Sequence, residues 1–204
     1  MSTLKLYYAP GACSLSPHIA LRESGLDFTL DRVDFGEGRK TASGKGYFDV
    51  NPKGYVPALE LPDGQLLTEG AVIVQYIADL KPESRLAPPV GSFARVRLQE
   101  QLNFIATELH KGLSPLFSTA ANDAYKQATR ERLAGRLAML DKALGGGKWL
   151  GGDQFTVADG YAFYALRTYE RLTGAALPGG LAAYRGRIAD RPAVQAALAA
   201  EGLT

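Results

Sequence analysis

The residues of this chain best suited to thiol or proton chemistry are a single cysteine, Cys13, and two histidines, His18 and His110. Cys13 stands between two local signals. Leu4 to Tyr8 reads as a short strand, apolar and aromatic around Lys5. Ala9-Pro10-Gly11-Ala12 breaks it with turn residues. An apolar-periodic segment from His18 to Glu23 then reads as a helix, for which Ser14 or Ser16 suits the cap and Pro17 the first turn. A thiol at such a junction lies near unpaired amide donors and the positive end of a helix dipole. Both lower its pKa, and the thiolate is the nucleophile. A lone cysteine also serves well as a small core residue. Position alone leaves both roles open.

Three further places carry chemistry of their own. Asn103, Thr107 and His110, at spacings of seven and three, share one face of a predicted helix otherwise marked by Leu102, Phe104, Ile105 and Leu109. That polar stripe is either a solvated face or, where it looks toward Cys13, part of a site. Val56-Pro57 puts a proline at the head of a predicted strand, which fits a sheet edge or a special bond. A cis bond there would offer the Val56 backbone to a neighbour. Thr68-Glu69-Gly70 opens an apolar helix and either caps it or offers its amides to a small carboxylate. Thr156-Val157-Ala158-Asp159 reads as a capping box with Asp in the acidic position, a folding signal rather than a site.

Composition narrows the function classes. A net charge of +2, with both signs interspersed, offers no nucleic-acid surface. One cysteine can form neither an internal disulfide nor a cysteine-built zinc site, and two histidines add no metal cluster. The first apolar run is too short, and too interrupted by Lys5, for a signal peptide, and no stretch approaches membrane-span length. A reducing cytoplasm is the expected setting.

The elements that must hold these residues change character along the chain. Up to residue 81 strands and helices mix: a second alternating strand at Phe28 to Asp34, a polar stretch from Gly36 to Gly46 that reads as a mobile loop, and a hairpin around Pro62-Asp63-Gly64. Ala71 to Leu80, nearly all apolar, reads as a buried helix. The predicted order is β-α-β-(loop or helix)-β-β-α, with a parallel first crossover and an antiparallel hairpin. Residues 82–92, rich in proline, read as a linker, and 93–204 as an all-helical domain: Phe93 to about Phe117, Ala124 to Leu144, Val157 to Thr173, Leu181 to Asp190 and Ala193 to Glu201.

Taken jointly, the motifs are more specific than any one of them. The strand followed by Ala9 to His18, then Asn51-Pro52-Lys53-Gly54-Tyr55-Val56-Pro57, then Leu67-Thr68-Glu69-Gly70, resembles the bacterial beta-class glutathione S-transferases. Glu108-Leu109-His110-Lys111, Phe155 to Asp159 and Ala200-Glu201-Gly202-Leu203 fit the same class, so the resemblance spans essentially the whole chain. It implies an α/β, thioredoxin-like N-terminal domain joined to an all-α C-terminal domain, a homodimer, and glutathione as co-substrate in the cleft between domains, with no metal. Carried over by position, Cys13 would lie at the glutathione sulfur, with the amides around Ser14, and His110 would face the same point. Val56 would pair its backbone with the cysteinyl unit, as an added strand does, and Pro57 would be the cis proline. Glu69 and Gly70 would hold the γ-glutamyl end. Arg39 or Lys40 would reach the glycine carboxylate, and Asn103, Thr107 and Lys111 would line the helical side. The chain departs from the pattern at Arg167-Thr168-Tyr169, where a tryptophan lining the electrophile site is expected.

Such a site stabilises a thiolate for attack on an electrophile. The resemblance therefore implies conjugation of glutathione to small hydrophobic electrophiles. Two alternatives stand beside it. Cys13-Ser14-Leu15-Ser16 is a C-x-x-S pattern, without a resolving cysteine, which permits monothiol exchange with glutathione and a disulfide-reductase role. A non-catalytic binder of hydrophobic ligands is the other.

Overall fold

The computed structural model describes residues 3–36 and 38–203. They form two compact units, one taking the chain up to Leu86 and again from Pro192, the other Ala87–Arg191.

The first unit is built on a mixed sheet. Strands β1 (Leu4–Tyr8) and β2 (Phe28–Asp34) pair in parallel through helix α1 (Leu15–Ser24), with Leu6 opposite Leu30. Gly25 ends α1 in the left-handed conformation, φ 68°, that a residue without Cβ adopts cheaply. Strands β4 (Ala58–Glu60) and β5 (Leu66–Thr68) form the predicted antiparallel hairpin, and β4 runs antiparallel to β1. The sheet order is β3-β2-β1-β4-β5, where β3 is the two-residue strand Lys40–Thr41. Helix α3 (Gly70–Leu80) packs on α1.

Three expectations change here. The stretch from Gly36 to Gly46 is not a free loop: β3 joins it to β2, and Asp31 accepts hydrogen bonds from the amide and hydroxyl of Ser43 at 3.2 and 2.6 Å. Its polar residues hide this, because they bond to the sheet rather than to water; Glu37 lies outside the described residues. A short helix, α2 (Tyr47–Val50), follows it. Secondly, α3 is buried on one side only. Ile73, Val74, Ile77 and Ala78 are covered, whereas Val72 and Leu80 are 47% and 43% exposed. Thirdly, helix α9 (Pro192–Ala200) packs on α1 within the first unit, where composition had grouped it with the helical domain. Its buried Val194 and Ala197 let two helices approach closely; burying a valine contributes about 1.5–3 kcal/mol. Sequence shows that α9 is a helix but not the surface on which it docks.

The second unit is helical: α4 (Phe93–Phe104), α5 (Ser114–Phe117), α6 (Asp123–Leu144), α7 (Val157–Thr173) and α8 (Leu181–Ala189). The predicted single helix from Phe93 to Phe117 is interrupted. Ile105–His110 is a π-helical turn and Lys111–Leu113 a 3₁₀ turn. Ser92 caps α4 through its hydroxyl, which accepts from the Arg95 amide at 3.2 Å. Helix α7 starts at the predicted capping box. The Asp159 carboxylate, fully buried, accepts from the Thr156 amide and hydroxyl, the Leu150 amide and the Tyr184 hydroxyl. Burial pushes that carboxyl up from the ordinary range, and the four donors oppose it. Trp149 packs edge-on to Phe155 at 5.2 Å, a core residue as its position beside the box suggests.

Candidate functional site

Cys13 sits at the mouth of the β1–α1 junction, and backbone groups set its surroundings. Its Sγ–H donates to the Val56 carbonyl at 3.2 Å. A carbonyl oxygen can only accept, so the sulfur is the donor of this contact. Neither serine caps α1 as expected. The Ser14 hydroxyl, fully buried, accepts from the Ala9 amide at 3.1 Å and donates to the Ala9 carbonyl at 3.2 Å, so it closes the turn that delivers Cys13. Ser16 Oγ is buried with no hydrogen-bond partner among the described residues. Below the junction lies a cluster of Tyr7, Ala9, Val33, Tyr47, Val56 and Ala58.

The segment from Asn51 to Pro57 faces the thiol, and the sequence holds it in shape from within. Asn51 Nδ2 and the Tyr47 hydroxyl both donate to the Tyr55 carbonyl, at 2.8 and 3.0 Å. Burial pushes the Tyr47 phenol up to about 12. The Val56–Pro57 bond is cis. Gly54, at φ +70°, is required twice over: a Cβ there would stand 2.4 Å from the Phe48 ring and 3.0 Å from an Arg39 nitrogen.

The remaining predicted residues of the first unit gather around this segment. The Arg39 guanidinium donates to the Gly54 carbonyl and lies over the Phe35 and Phe48 rings at 5.2 and 5.4 Å. Lys40, exposed, belongs to β3 instead. Arg39 is thus the one of the two cations that the fold draws to the segment. On its other side the Tyr55 hydroxyl donates to Glu69 at 3.0 Å, and Lys53 Nζ approaches the same carboxylate at 3.7 Å. Glu69 stands at φ 74°, unusual for a residue with a side chain, directly before the first turn of α3 at Gly70. Such a conformation costs on the order of 1–3 kcal/mol and persists where the surroundings enforce it. It leaves the Glu69 side chain and the α3 N-terminus on one edge.

A second network anchors the thiol loop from behind, and the motif reading gave it no role. Glu201, just past α9, is 5% exposed. One carboxylate oxygen accepts from the Gly11 amide at 2.9 Å, and the other pairs with His18 Nδ1 at 2.8 Å. Arg22 Nε donates to His18 Nε2 at 2.9 Å. Since Nε2 must accept from Arg22, the His18 proton lies on Nδ1 and is given to Glu201.

The other predicted residues lie in the helical unit. His110 closes the π turn. Its Nδ1 is 2.8 Å from the Tyr161 hydroxyl, and the Tyr164 ring meets it edge-on at 5.1 Å. Asn103 and Thr107 are exposed, joined by the Thr107 hydroxyl donating to the Asn103 carbonyl at 2.9 Å. The π turn takes more residues per revolution than an α-helix, so three residues on from Thr107 no longer return to the same face. The shared stripe therefore splits, with His110 turned toward α7. Lys111 is exposed at the start of the 3₁₀ turn. Within Arg167-Thr168-Tyr169, where the motif pattern expects a tryptophan, Thr168 and Tyr169 are buried. Tyr161 and Tyr164 carry no local signal of this contact, since tyrosines on an apolar helix read as core.

Among the described residues no group of acidic, His and Cys side chains could hold a metal ion, and no helix is long and apolar enough to cross a membrane.

A thioredoxin-like mixed sheet with a thiol after its first strand, followed by an all-helical unit, is the class of protein that fold and site define here. The profile of the glutathione S-transferase N-terminal domain matches residues 11–80, and that of the glutathione S-transferase C-terminal domain residues 104–192. The chain belongs to the glutathione S-transferase family, and so to a family of transferases. It is 50% identical over 202 residues to glutathione S-transferase GstA of Escherichia coli O157:H7, covering 98% of this chain and all of that one. Among solved structures it superimposes on a sphingomonad glutathione S-transferase complexed with glutathione (TM-score 0.92, 49% identity). It also superimposes on a bacterial beta-class enzyme of Sphingomonas chungbukensis (TM-score 0.91, 45% identity). Each match covers 98% of this chain and 100% of the other.

Proposed function

We infer that this protein is a beta-class glutathione S-transferase that conjugates glutathione to small hydrophobic electrophiles, and that Cys13 can also form a mixed disulfide with glutathione. The observation that carries the reading is the 3.2 Å approach of the Cys13 thiol to the Val56 carbonyl, beside a segment that ends outside the sheet. An extended tripeptide laid along Val56 would gain backbone hydrogen bonds there and bring its own sulfur to the thiol. At one end of the segment Glu69 supplies a carboxylate for the γ-glutamyl amine, and the first α3 amides at Gly70 suit its carboxylate. At the other end Arg39, held over Gly54, suits the glycine carboxylate better than Lys40. Pro57 and the amide of Ser14 complete that side; Asn103, Thr107 and Lys111 are assigned to the helical side.

In conjugation, the glutathione thiol gives up its proton to solvent and the resulting thiolate attacks the electrophile. The new carbon–sulfur bond forms as the leaving group departs with its electron pair. His110 is assigned as the group that stabilises or receives charge at that sulfur. The redox branch needs oxidised glutathione: the Cys13 thiolate attacks one of its sulfurs, giving protein–glutathione disulfide and one released glutathione thiolate. With C-x-x-S and no second cysteine, the next exchange requires an external thiol. The cytoplasmic setting and a detoxifying role follow from the same reading. A homodimer is supported by apolar residues left uncovered on each unit, Val72 and Leu80 on one, Val90, Phe93 and Val96 on the other.

The test combines mass and rate. Intact mass after incubation with oxidised glutathione is expected to rise by one glutathionyl group, reversibly, and not at all in Cys13→Ala. That variant is expected to keep turnover of glutathione with an activated aryl chloride. Loss of both activities in Cys13→Ala would make the thiol exchange primary. Turnover by the wild type no faster than free glutathione would overturn the transferase reading.

A further inference from the structure

Two phenylalanine rings of the first unit stand where burial does not explain them. Phe35, directly after β2, is 44% exposed, and Phe48, within α2, is 51% exposed. Both lie against the same cation, with the Arg39 guanidinium carbon 5.2 Å from the centre of one ring and 5.4 Å from the other. Within about 6 Å the electron-rich face of a ring attracts a cation. Phe48 also packs on Gly54, whose carbonyl accepts from Arg39 Nη1. Three stretches of chain therefore meet at one guanidinium. The backbone of Arg39 is held as firmly as its side chain. It stands at φ 37°, in the left-handed region that a residue with a side chain enters only at a cost. Its amide donates to the Gly36 carbonyl at 3.2 Å, and its carbonyl accepts from the Tyr47 amide at the start of α2 at 2.7 Å. Exposed apolar surface and backbone strain thus coincide at one residue, and such outliers cluster at ligand clamps.

We propose that Phe35 and Phe48 are positioning residues that make the site selective for a thiol peptide ending in a free carboxylate, by fixing the Arg39 guanidinium in place before that carboxylate arrives. This rests on the glutathione reading above and names the part of the tripeptide that is selected. A guanidinium carries five N–H donors in one plane and meets a carboxylate two at a time. The bond to Gly54 occupies one nitrogen, Nη1. An arginine loose on a surface loses rotamer freedom when it binds, whereas one already held between rings and a backbone carbonyl loses little. Lysine in this place would gain less, because an ammonium neither stacks on rings nor fixes a plane. The rings touch the cation and not the peptide, so their contribution reaches the ligand only through the charge at its glycine end.

Calorimetric titration with two ligands tests this: glutathione, and its carboxamide, in which the glycine carboxylate is replaced by a neutral amide of the same shape. The wild type is expected to bind glutathione roughly tenfold or more tighter than the carboxamide. Phe48→Leu keeps the apolar bulk and removes the ring. It should weaken glutathione roughly two- to fivefold and leave the carboxamide unchanged, and Phe35→Leu should do the same. Phe48→Tyr, which restores a ring, should restore the affinity. Adding Phe48→Leu to Arg39→Ala should cost nothing further. Equal weakening of both ligands by Phe48→Leu would make the ring a prop of the Asn51–Pro57 segment and overturn the proposal. So would an unchanged glutathione affinity, a further loss in the Arg39→Ala background, or a lighter particle in Phe48→Leu by light scattering, which would assign the ring to a subunit contact. Equal binding of the two ligands by the wild type would overturn it while leaving the glutathione reading intact. Binding of neither would remove both.

Discussion

The corner that holds Cys13 and the corner that holds His110 are built on opposite plans. Backbone groups and a local turn position the thiol: the Val56 carbonyl, the Ala9 amide and carbonyl, the Gly11 amide. Side chains of a distant helix, Tyr161 and Tyr164, position the imidazole across an irregular turn. A corner made of backbone tolerates changes of side chain nearby but fails when an anchor beneath it is removed. A corner made of side chains can be retuned one substitution at a time.

The contrast breaks most visibly at Glu201. Glu201→Ala would leave the Gly11 amide and His18 Nδ1–H buried without an acceptor, and is expected to cost about 3 kcal/mol or more by urea denaturation. A loss under about 1 kcal/mol would show that the thiol loop does not depend on that anchor. His110→Ala should leave stability nearly untouched while lowering kcat on the order of 10²-fold, with a smaller change in KM for glutathione. The reverse split would make His110 a binding residue. Gly54→Ala forces a side chain into left-handed backbone and against Phe48, which should destabilise by about 1–2 kcal/mol and weaken glutathione binding through the shifted Arg39; unchanged binding would detach Arg39 from the site. The smallest effect expected is one of pH. The neutral Tyr47 phenol is favoured by burial, so its contribution is complete below pH 10 and is lost as pH rises toward about 12. Tyr47→Phe should be somewhat less stable at neutral pH yet lose stability less steeply between those values. Parallel alkaline curves for the two proteins would remove Tyr47 from the account.

Much of the fold was legible because local rules and burial agreed. β1, β2 and α7 begin and end where period, turn residues and the Thr156–Asp159 box place them. The motif from Asn51 to Pro57 was legible as a unit because its constraints are internal: a buried Asn51 folds the segment onto its own carbonyl, and Gly54 supplies the conformation. Where reading failed, a polar residue had found a partner that its local signal does not name. Ser43 sits on Asp31, so a loop of solvent-loving residues is tied to the sheet. The Ser14 hydroxyl bonds Ala9 and does not cap α1. The π turn at Ile105–His110 leaves no mark in the hydrophobic period, and with it the stripe of Asn103, Thr107 and His110 dissolves.

The sequence by itself determined the two kinds of unit, the thiol at a strand-to-helix junction and the segment that faces it. All of these follow from short-range periodicity, turn chemistry and the scarcity of cysteine. Only the tertiary structure decided that α9 returns to the first unit, that Glu201 and His18 brace the thiol loop, that Arg39 rather than Lys40 leans on Gly54, and that His110 turns to Tyr161. Those outcomes rest on pairings between residues tens to nearly two hundred positions apart. Their partners are chosen by which buried donor must meet which acceptor once the elements have packed, and no local pattern carries that information.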